Sequence, residues 1–557
     1  MKDKKERRLY FALFAALLIV CGYFFLRGDS TFLLDDTEFH LIRLQSLVDS
    51  MRHGEWFPKV YTELYDGYGY AIPLFYCNFF LYVPAVLCLL GTPLLISYNI
   101  YNLLLIAATL FCSYYAAQKL TGSALGGFFF SMLYTGSAYF AVDLLKRGAI
   151  GETQAFMIAP IVLLGIYNSV FGDSRRNPAL VFGFLFLALS HLLSLLLFSL
   201  FYLAFLVLFI GRLIREPKRI LHILGSAAAV LLLGAGYLLP LAEQLLTTRF
   251  FSEWHMHVFH PIWETIAPKN LFSTYGSTQA TSSCAGYTVL LMLLLRLFFK
   301  PLPKTDIHRF RDACIWGGLF SLFAVTAYFP WLRLDPYINI IQFPWRFFLP
   351  ATLLICMAGA IMLDDIFRNK KKSHSLLAAG AVAVLCCVQS LCISVPEWKY
   401  QQSPPAGEGH AGIIEETSSL SLVDENYLHI NNSREFWAER PFVPVSNCDT
   451  VNATSDRERG TTTVVFSGNT GDDTYLDLPL VYYLGYSAAT ADGTQLPVRP
   501  SGHGVLEVEI GRLAGGTLTV SYTGTPVQHV SGWISLFSAA AALWICLRAY
   551  KKRAPRK

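Results

Sequence analysis

The chain has 557 residues, of which 54% are hydrophobic and only 15% charged, with a mean hydropathy of +0.44 and a formal net charge of +5. That apolar fraction exceeds what a soluble globular chain of this length can bury. Runs such as 11–26 (FALFAALLIVCGYFFL) and 192–211 (LLSLLLFSLFYLAFLVLFIG) approach the ~20 residues that cross a bilayer. The positive balance does not indicate nucleic acid, because the basic residues fall in short clusters between apolar runs, which is a topology signal.

In chain order, apolar segments suited to spanning fall near 9–27, 95–118, 123–142, 154–171, 178–190, 192–211, 220–242, 284–299, 312–329, 347–366, 375–394 and 530–548. The first has a basic front (MKDKKERR) and no small-residue cleavage site, so it is expected to stay as a helix. Stretch 72–91 is apolar but holds Pro73, Pro84 and many aromatics, and is expected to lie at the interface or insert only partly. The basic clusters at 2–8, Arg175/Arg176, 212–219, 300–311, 368–372 and 548–557 are placed in the cytoplasm. Both termini are then inside, and an all-α polytopic membrane protein of about twelve helices is expected. Most of the twelve cysteines, Cys112, Cys356, Cys386 and Cys387 among them, lie in apolar runs as small fillers.

This threading puts five segments outside: 28–72, 143–153, 243–283, 330–346 and 395–529. The last is polar and rich in Gly and Thr, with alternating runs (TTTVVFSG, YLDLPLVYYLGY, GVLEVEIG, GTLTVSYTG) that read as strands. The expected domains are a transmembrane part, 1–394, an extracytoplasmic β-rich part of sandwich type, 395–529, and a final helix with a basic tail, 530–557.

Candidate chemistry gathers in the outer segments. Residues 33–43 read LLDDTEFHLIR. An amphipathic helix from Asp36 to about Arg52 would turn Leu41, Leu44, Leu47, Val48 and Met51 to apolar surface and His40, Arg43 and Asp49 to water. Asp35 with Glu38 fits a capping box, which leaves Asp36, His40 and Arg43 on one face without a structural duty. The second cluster is KRGAIGE, where Lys146, Arg147 and Glu152 form either a solvated loop with a surface ion pair or a phosphate clamp plus a carboxylate. The third is QFPWRFF, where Arg346, between aromatics at the outer start of a span, reads as an interfacial anchor. In HMHVFH, His255, His257 and His260 match no metal spacing and read as an aromatic interfacial loop. Acids and arginines at outer helix ends, with spans nearly free of charge, count against a transporter.

An acidic pair after the first helix, an amphipathic helix, and a second outer loop bearing Arg and Glu resemble the GT-C superfamily of integral-membrane glycosyltransferases. DDTEFHLIR, DGYGYAIPLFYCNFFLYVPA, KRGAIGE, APKNLFSTYG and IIQFPWRFFLP, in that order, are similar to a bacterial branch of YfhO-type proteins whose domain label mentions 6-pyruvoyl-tetrahydropterin synthase. The resemblance covers most of 9–366. It implies a transferase that moves a sugar from a polyprenyl-phosphate donor to a cell-envelope glycan, glycolipid or protein on the outer face of the bacterial cytoplasmic membrane. It puts the base at Asp36, with Asp35 adjacent, and the second acid at Glu152. Lys146, Arg147 or Arg346, with His40 and Arg43, would receive the lipid phosphate. In some relatives the two acidic loops share a divalent cation, so Asp36 and Glu152 are candidate ligands for Mg or Mn; in others no metal is needed. A lipid-linked-glycan flippase and a non-catalytic envelope scaffold are the alternatives.

Overall fold

A computed structural model describes residues 4–258, 260–273, 283–299, 305–403, 412–417, 420, 424–431, 440, 442–458 and 460–553, without the side chains of 254–257 and 549–553. Among them are seven helices long and apolar enough to cross a membrane: Lys4–Arg27, Leu94–Thr121, Ile150–Val170, Lys218–Thr247, Pro344–Phe367, Lys372–Gln402 and Pro526–Arg548. Ala124–Thr135 and Ala138–Arg147 make an eighth if their 46° bend is counted within one span. The protein is therefore predominantly helical and of membrane type, with β structure near its C-terminus. Stretch 72–91 is broken into Ile72–Phe75, a turn at Phe79–Leu81 and Tyr82–Leu89, each too short to cross alone.

The chain divides into two compact units. The first comprises 1–41, 79–230 and 259–420. Its helices approach at small residues, as membrane helices do when packing rather than water expulsion holds them together. A Cβ on Gly165 would sit 2.5 Å from the Leu180 nitrogen, so Ile150–Val170 and Pro178–Ala188 touch backbone to backbone. Pro344–Phe367 lies almost entirely inside this unit, with buried residues from Phe348 to Asp364 interrupted only at Leu354.

The second unit comprises 42–78, 231–258 and 421–557. Its β part is two antiparallel sheets. One has the spatial order Val445–Ser446, Tyr475–Val481, Val505–Glu509, Val498–Pro500. The other runs Asn452–Glu458, Thr461–Ser467, Gly515–Tyr522, Tyr486–Thr490, Gln495–Leu496. Alternation in TTTVVFS buries Thr462, Val464 and Phe466 and exposes the residues between, as one-sided strands require. Within the same unit Pro526–Arg548 meets the C-terminal half of Lys218–Thr247 where the Gly236 amide donates to Ser535 Oγ at 2.8 Å. Both helices leave large apolar side chains uncovered, Leu231, Leu232, Trp533, Phe537 and Trp544 among them, a surface that lipid satisfies.

Candidate active site

The Asp35–Asp36 pair sits on a main-chain scaffold within the first unit. Thr31–Phe32 pairs antiparallel with Ile413–Ile414, and the Leu33 amide donates to the Gly412 carbonyl at 3.0 Å. The next two turns of chain face the other way: the Asp35 amide donates to the Lys146 carbonyl at 3.3 Å and the Asp36 amide to the Arg147 carbonyl at 2.7 Å. The acidic pair is thus fixed by backbone on both sides before its helix, Thr37–Arg52, begins.

KRGAIGE is not a solvated loop. Asp143–Arg147 forms a π-helical turn, Gly148 takes a left-handed conformation (φ 62°), and the next helix starts at Ile150. Such π turns recur at functional sites. Glu152 lies in the first turn of Ile150–Val170, where an acid suits the helix dipole. A single guanidinium nitrogen, Arg147 Nη1, donates to Asp143 Oδ1 at 2.7 Å and to Glu152 Oε2 at 2.6 Å. The other Glu152 oxygen accepts from the Tyr139 hydroxyl at 2.7 Å. Asp143, Glu152 and Tyr139 are buried, so this is an internal ion triad and not the surface pair that the sequence allowed. Nε and Nη2 of Arg147 make no hydrogen bond among the described residues.

Gly148 has a second duty besides its positive φ. A Cβ there would lie 2.7 Å from Thr37 Oγ1 and 3.0 Å from Leu34 Cβ, so only glycine lets the turn meet the acidic segment. Gly148→Ala combines a left-handed alanine, about 1–2 kcal/mol, with overpacking of about 1–3 kcal/mol. We expect that variant to lose about 2–5 kcal/mol of stability, read as a lower unfolding temperature in detergent. Unchanged stability would mean the turn does not lock the segment.

Arg346 closes the cluster. Gln342 adopts φ 60° and ψ −58°, and the Phe343 amide donates back to the Ile341 carbonyl at 2.7 Å, a strained γ-turn. That turn aims Ile341 O and Gln342 Oε1 at Arg346 Nη1, at 2.6 and 3.1 Å. Arg346 Nε is buried without a partner among the described residues. Trp345, next to Arg346, lies 5.9 Å from the Arg147 guanidinium carbon, measured to its ring centroid.

The half-buried Asp36 carboxyl feels this whole group. Burial pushes its pKa up to about 6; Arg147 opposes, Asp35 adds, Arg346 opposes and Glu152 adds. His191, at the turn between Pro178–Ala188 and Leu192–Leu208, feels the same charges. Burial lowers its pKa to about 4, Glu152 resists, and Arg346 and Arg147 assist, so the ring is neutral at pH 7; Nδ1 is 2.8 Å from Ser194 Oγ.

The structure thus brings together Asp35, Asp36, Lys146 (through its carbonyl), Arg147, Glu152 and Arg346 from three separate stretches of sequence. It places His40 and Arg43 differently from the water-facing side expected for them. Both are buried, and Arg43 Nη2 donates to the carbonyls of Tyr76 and Cys77 and to Asn78 Oδ1, each at 3.2 Å, with Tyr76 stacked 4.0 Å away. Arg43 brackets the 76–78 backbone. Asp143, Tyr139 and His191 were missed from sequence. The Asp143–Arg147 spacing of four residues was the available signal for the first, and Tyr139 and His191 gave none beyond residue type. Of HMHVFH, the side chains of His255 and His257 lie outside the described residues, and His260 Nδ1 meets Asp335 Oδ2 at 2.8 Å.

The arrangement does not fit a resident Mg or Mn. Both Glu152 oxygens are taken by Arg147 and Tyr139, and among the described residues no three His, Cys, Asp or Glu side chains converge as a ligand set. What the cluster offers is one carboxylate poised near neutrality beside two guanidinium groups with unused donors.

No known family profile matches the chain. It is similar to a chain of Lactococcus lactis subsp. cremoris described as an uncharacterized protein, 23% identical over 613 aligned positions that cover 98% of this chain and 96% of the other, so the likeness runs the length of both proteins and carries no activity with it.

Proposed function

We propose that the protein is a GT-C-type membrane glycosyltransferase that uses a polyprenyl-phosphate-linked sugar and modifies an envelope glycan, glycolipid or protein. The observation that carries the reading is Asp36: a half-buried carboxyl with its pKa near 6, held by backbone beside the unspent donors of Arg147 and Arg346. In the proposed reaction an acceptor hydroxyl gives its proton to Asp36 as its oxygen attacks the anomeric carbon. The bond from that carbon to the phosphate oxygen breaks, its electron pair leaves on the lipid phosphate, and the anomeric configuration inverts. Arg147 and Arg346 take up the growing phosphate charge, a task suited to the guanidinium fork. Glu152 and Asp143 hold Arg147 in place and do not touch the reacting atoms.

The topology that suits this chemistry has twelve crossings. They are the seven long helices, the bent pair as one, and the shorter helices at 178–188, 192–208, 286–297 and 306–324. Both termini then lie in the cytoplasm of a bacterial cell and Asp36 on the outer face. A flippase would need a charged path with two accessible states, and buried charges such as the Asp143–Arg147–Glu152 triad are instead locked by direct ion pairs.

The test is lipid and glycan profiling of cells with and without the gene, followed by transfer assays in nanodiscs with the sugar that disappears. Loss of one envelope sugar and its transfer by the purified protein support the reading; an unchanged envelope overturns it. The rate should fall on the acid side with an apparent pKa near 6, because protonated Asp36 cannot accept the hydroxyl proton. A rate flat between pH 5 and pH 7, a window chosen to bracket that value, would take the base away from Asp36.

A further inference from the structure

The second unit contains a cavity of about 370 Å³. One wall is the stretch from Glu55 to Thr62. The other is the end of strand Gly515–Tyr522 with Thr523 and the first turn of the final helix at Gln528 and His529. Local structure fixes both walls. The Tyr61 and Tyr70 amides and carbonyls pair at 2.9 Å in each direction, closing a loop whose turn holds Tyr65 and Asp66 at positive φ. Opposite, the Tyr522 hydroxyl donates to the Leu484 carbonyl at 2.9 Å and accepts from Gln528 Nε2 at 2.6 Å. His529 Nε2 is 3.0 Å from the Thr523 carbonyl.

Against these fixed groups stand two that are not spent, Lys59 and the Tyr486 hydroxyl, and one exposed ring, Phe57. The Lys59 ammonium is half-buried and makes no hydrogen bond or ion pair among the described residues; burial lowers its pKa. The hydroxyl of Tyr486, a residue only 7% exposed, makes none either and borders the cavity. Phe57 presents its ring at the rim with 77% of its surface open. Hydroxyls and amides on both walls, one open aromatic face and one desolvated cation suit a sugar ring with an acidic substituent. An apolar ligand would leave Lys59 and the Tyr486 hydroxyl unsatisfied. A neutral sugar would satisfy the hydroxyls and leave the cation without a counter-charge. The volume, at the low end of ordinary ligand pockets, has room for a ligand of one or two rings.

We propose that this cavity binds one or two residues of an acidic glycan, with the carboxylate or phosphate on Lys59 and a sugar face on Phe57. If the proposed transfer reaction holds, this glycan is the acceptor polymer; the binding itself does not depend on that reading. Glu55, on the same wall and not ion-paired to Lys59, is placed to accept from sugar hydroxyls.

The test uses the full chain in zwitterionic nanodiscs, titrated with a glucuronic-acid disaccharide, with glucose 6-phosphate and with neutral maltose. An acidic probe should bind at least about tenfold more tightly than maltose, the scale of one charged hydrogen bond. Lys59→Gln should remove that preference, and Thr523→Trp, which crowds the mouth, should abolish binding. Preference for glucuronate names a uronic-acid polymer, and preference for the phosphate names a phosphorylated one. Equal binding of maltose, no binding of any probe, or indifference to both substitutions overturns the site. So does a Phe57→Ala variant that keeps full sugar affinity, since the ring would then take no part in binding. Asp36→Asn should bind the probes as the wild type does, which separates failure of this site from failure of the transfer reaction.

Discussion

If the proposed transfer reaction holds, an Asp36→Asn variant loses about a hundredfold or more of its sugar transfer, the scale of general-base catalysis, while folded protein stays in the membrane at its normal level. The amide is the same size and keeps the main-chain bond from residue 36 to the Arg147 carbonyl, so the segment stays where it is. What disappears is the lone pair that takes the acceptor's proton. Stability should move the other way from activity. A carboxyl whose pKa is raised to about 6 in the fold is destabilising when ionised, so the neutral amide leaves the protein at least as stable at pH 7. As pH falls through 6 toward the unfolded value of 3.8, the wild type gains stability by protonating in the folded state first, and the variant lacks that gain. Asp35, which is exposed, should matter much less. Transfer assays and melting curves on both single variants decide the matter: full activity in Asp36→Asn and in Asp35→Asn would remove the base from this segment.

The second large effect is on folding. Arg147→Met removes the direct ion-pair partner of buried Asp143 and Glu152, and breaking a buried ion pair from one side costs about 3–5 kcal/mol. Against a total stability of roughly 5–15 kcal/mol this is enough to deplete the protein from the membrane. Neutralising the partners as well, with Asp143→Asn and Glu152→Gln, should restore abundance and melting temperature, because no charge is then stranded. If the proposed transfer holds, the triple variant should still fail to transfer sugar, since it lacks the guanidinium proposed to take up the phosphate charge. Abundance on immunoblots and thermal unfolding in detergent give the answer. An Arg147→Met protein of normal abundance and melting temperature would show that the triad bears no load, and an active triple variant would show that Arg147 plays no part in the chemistry.

Seven of the expected twelve spans were legible because long apolar runs have few alternatives, and the four strongest strands because Gly turns frame alternating residues. Strand Asn452–Glu458 (NATSDRE) was not, because an edge strand that buries no side chain fully has no apolar period to read. Asp36, Arg147, Glu152 and Arg346 stood out as charges at the ends of apolar segments, and the fold gathers them. Their surroundings were less visible. Helix Thr37–Arg52 was read as having one wet face, yet His40 and Arg43 are as buried as Leu41 and Leu44, since the protein covers that helix on more than one side. An amphipathic period gives the direction of one partner and cannot announce a second. Asp143 was hidden in AYFAVD, where an acid beside a span looks like its end. Only the position of Arg147 one turn later, and of Glu152 across the glycine, makes it an internal charge.

The backbone bonds that hold residues 33–36 have an evolutionary reading. Their donors and acceptors are amides and carbonyls, which every amino acid except proline supplies in full, so residues 33, 35, 36, 146, 147 and 412 keep their mutual positions through most substitutions. The holder is made of backbone and the group it carries is a single side chain, so a substitution at position 36 changes that group without rebuilding the frame.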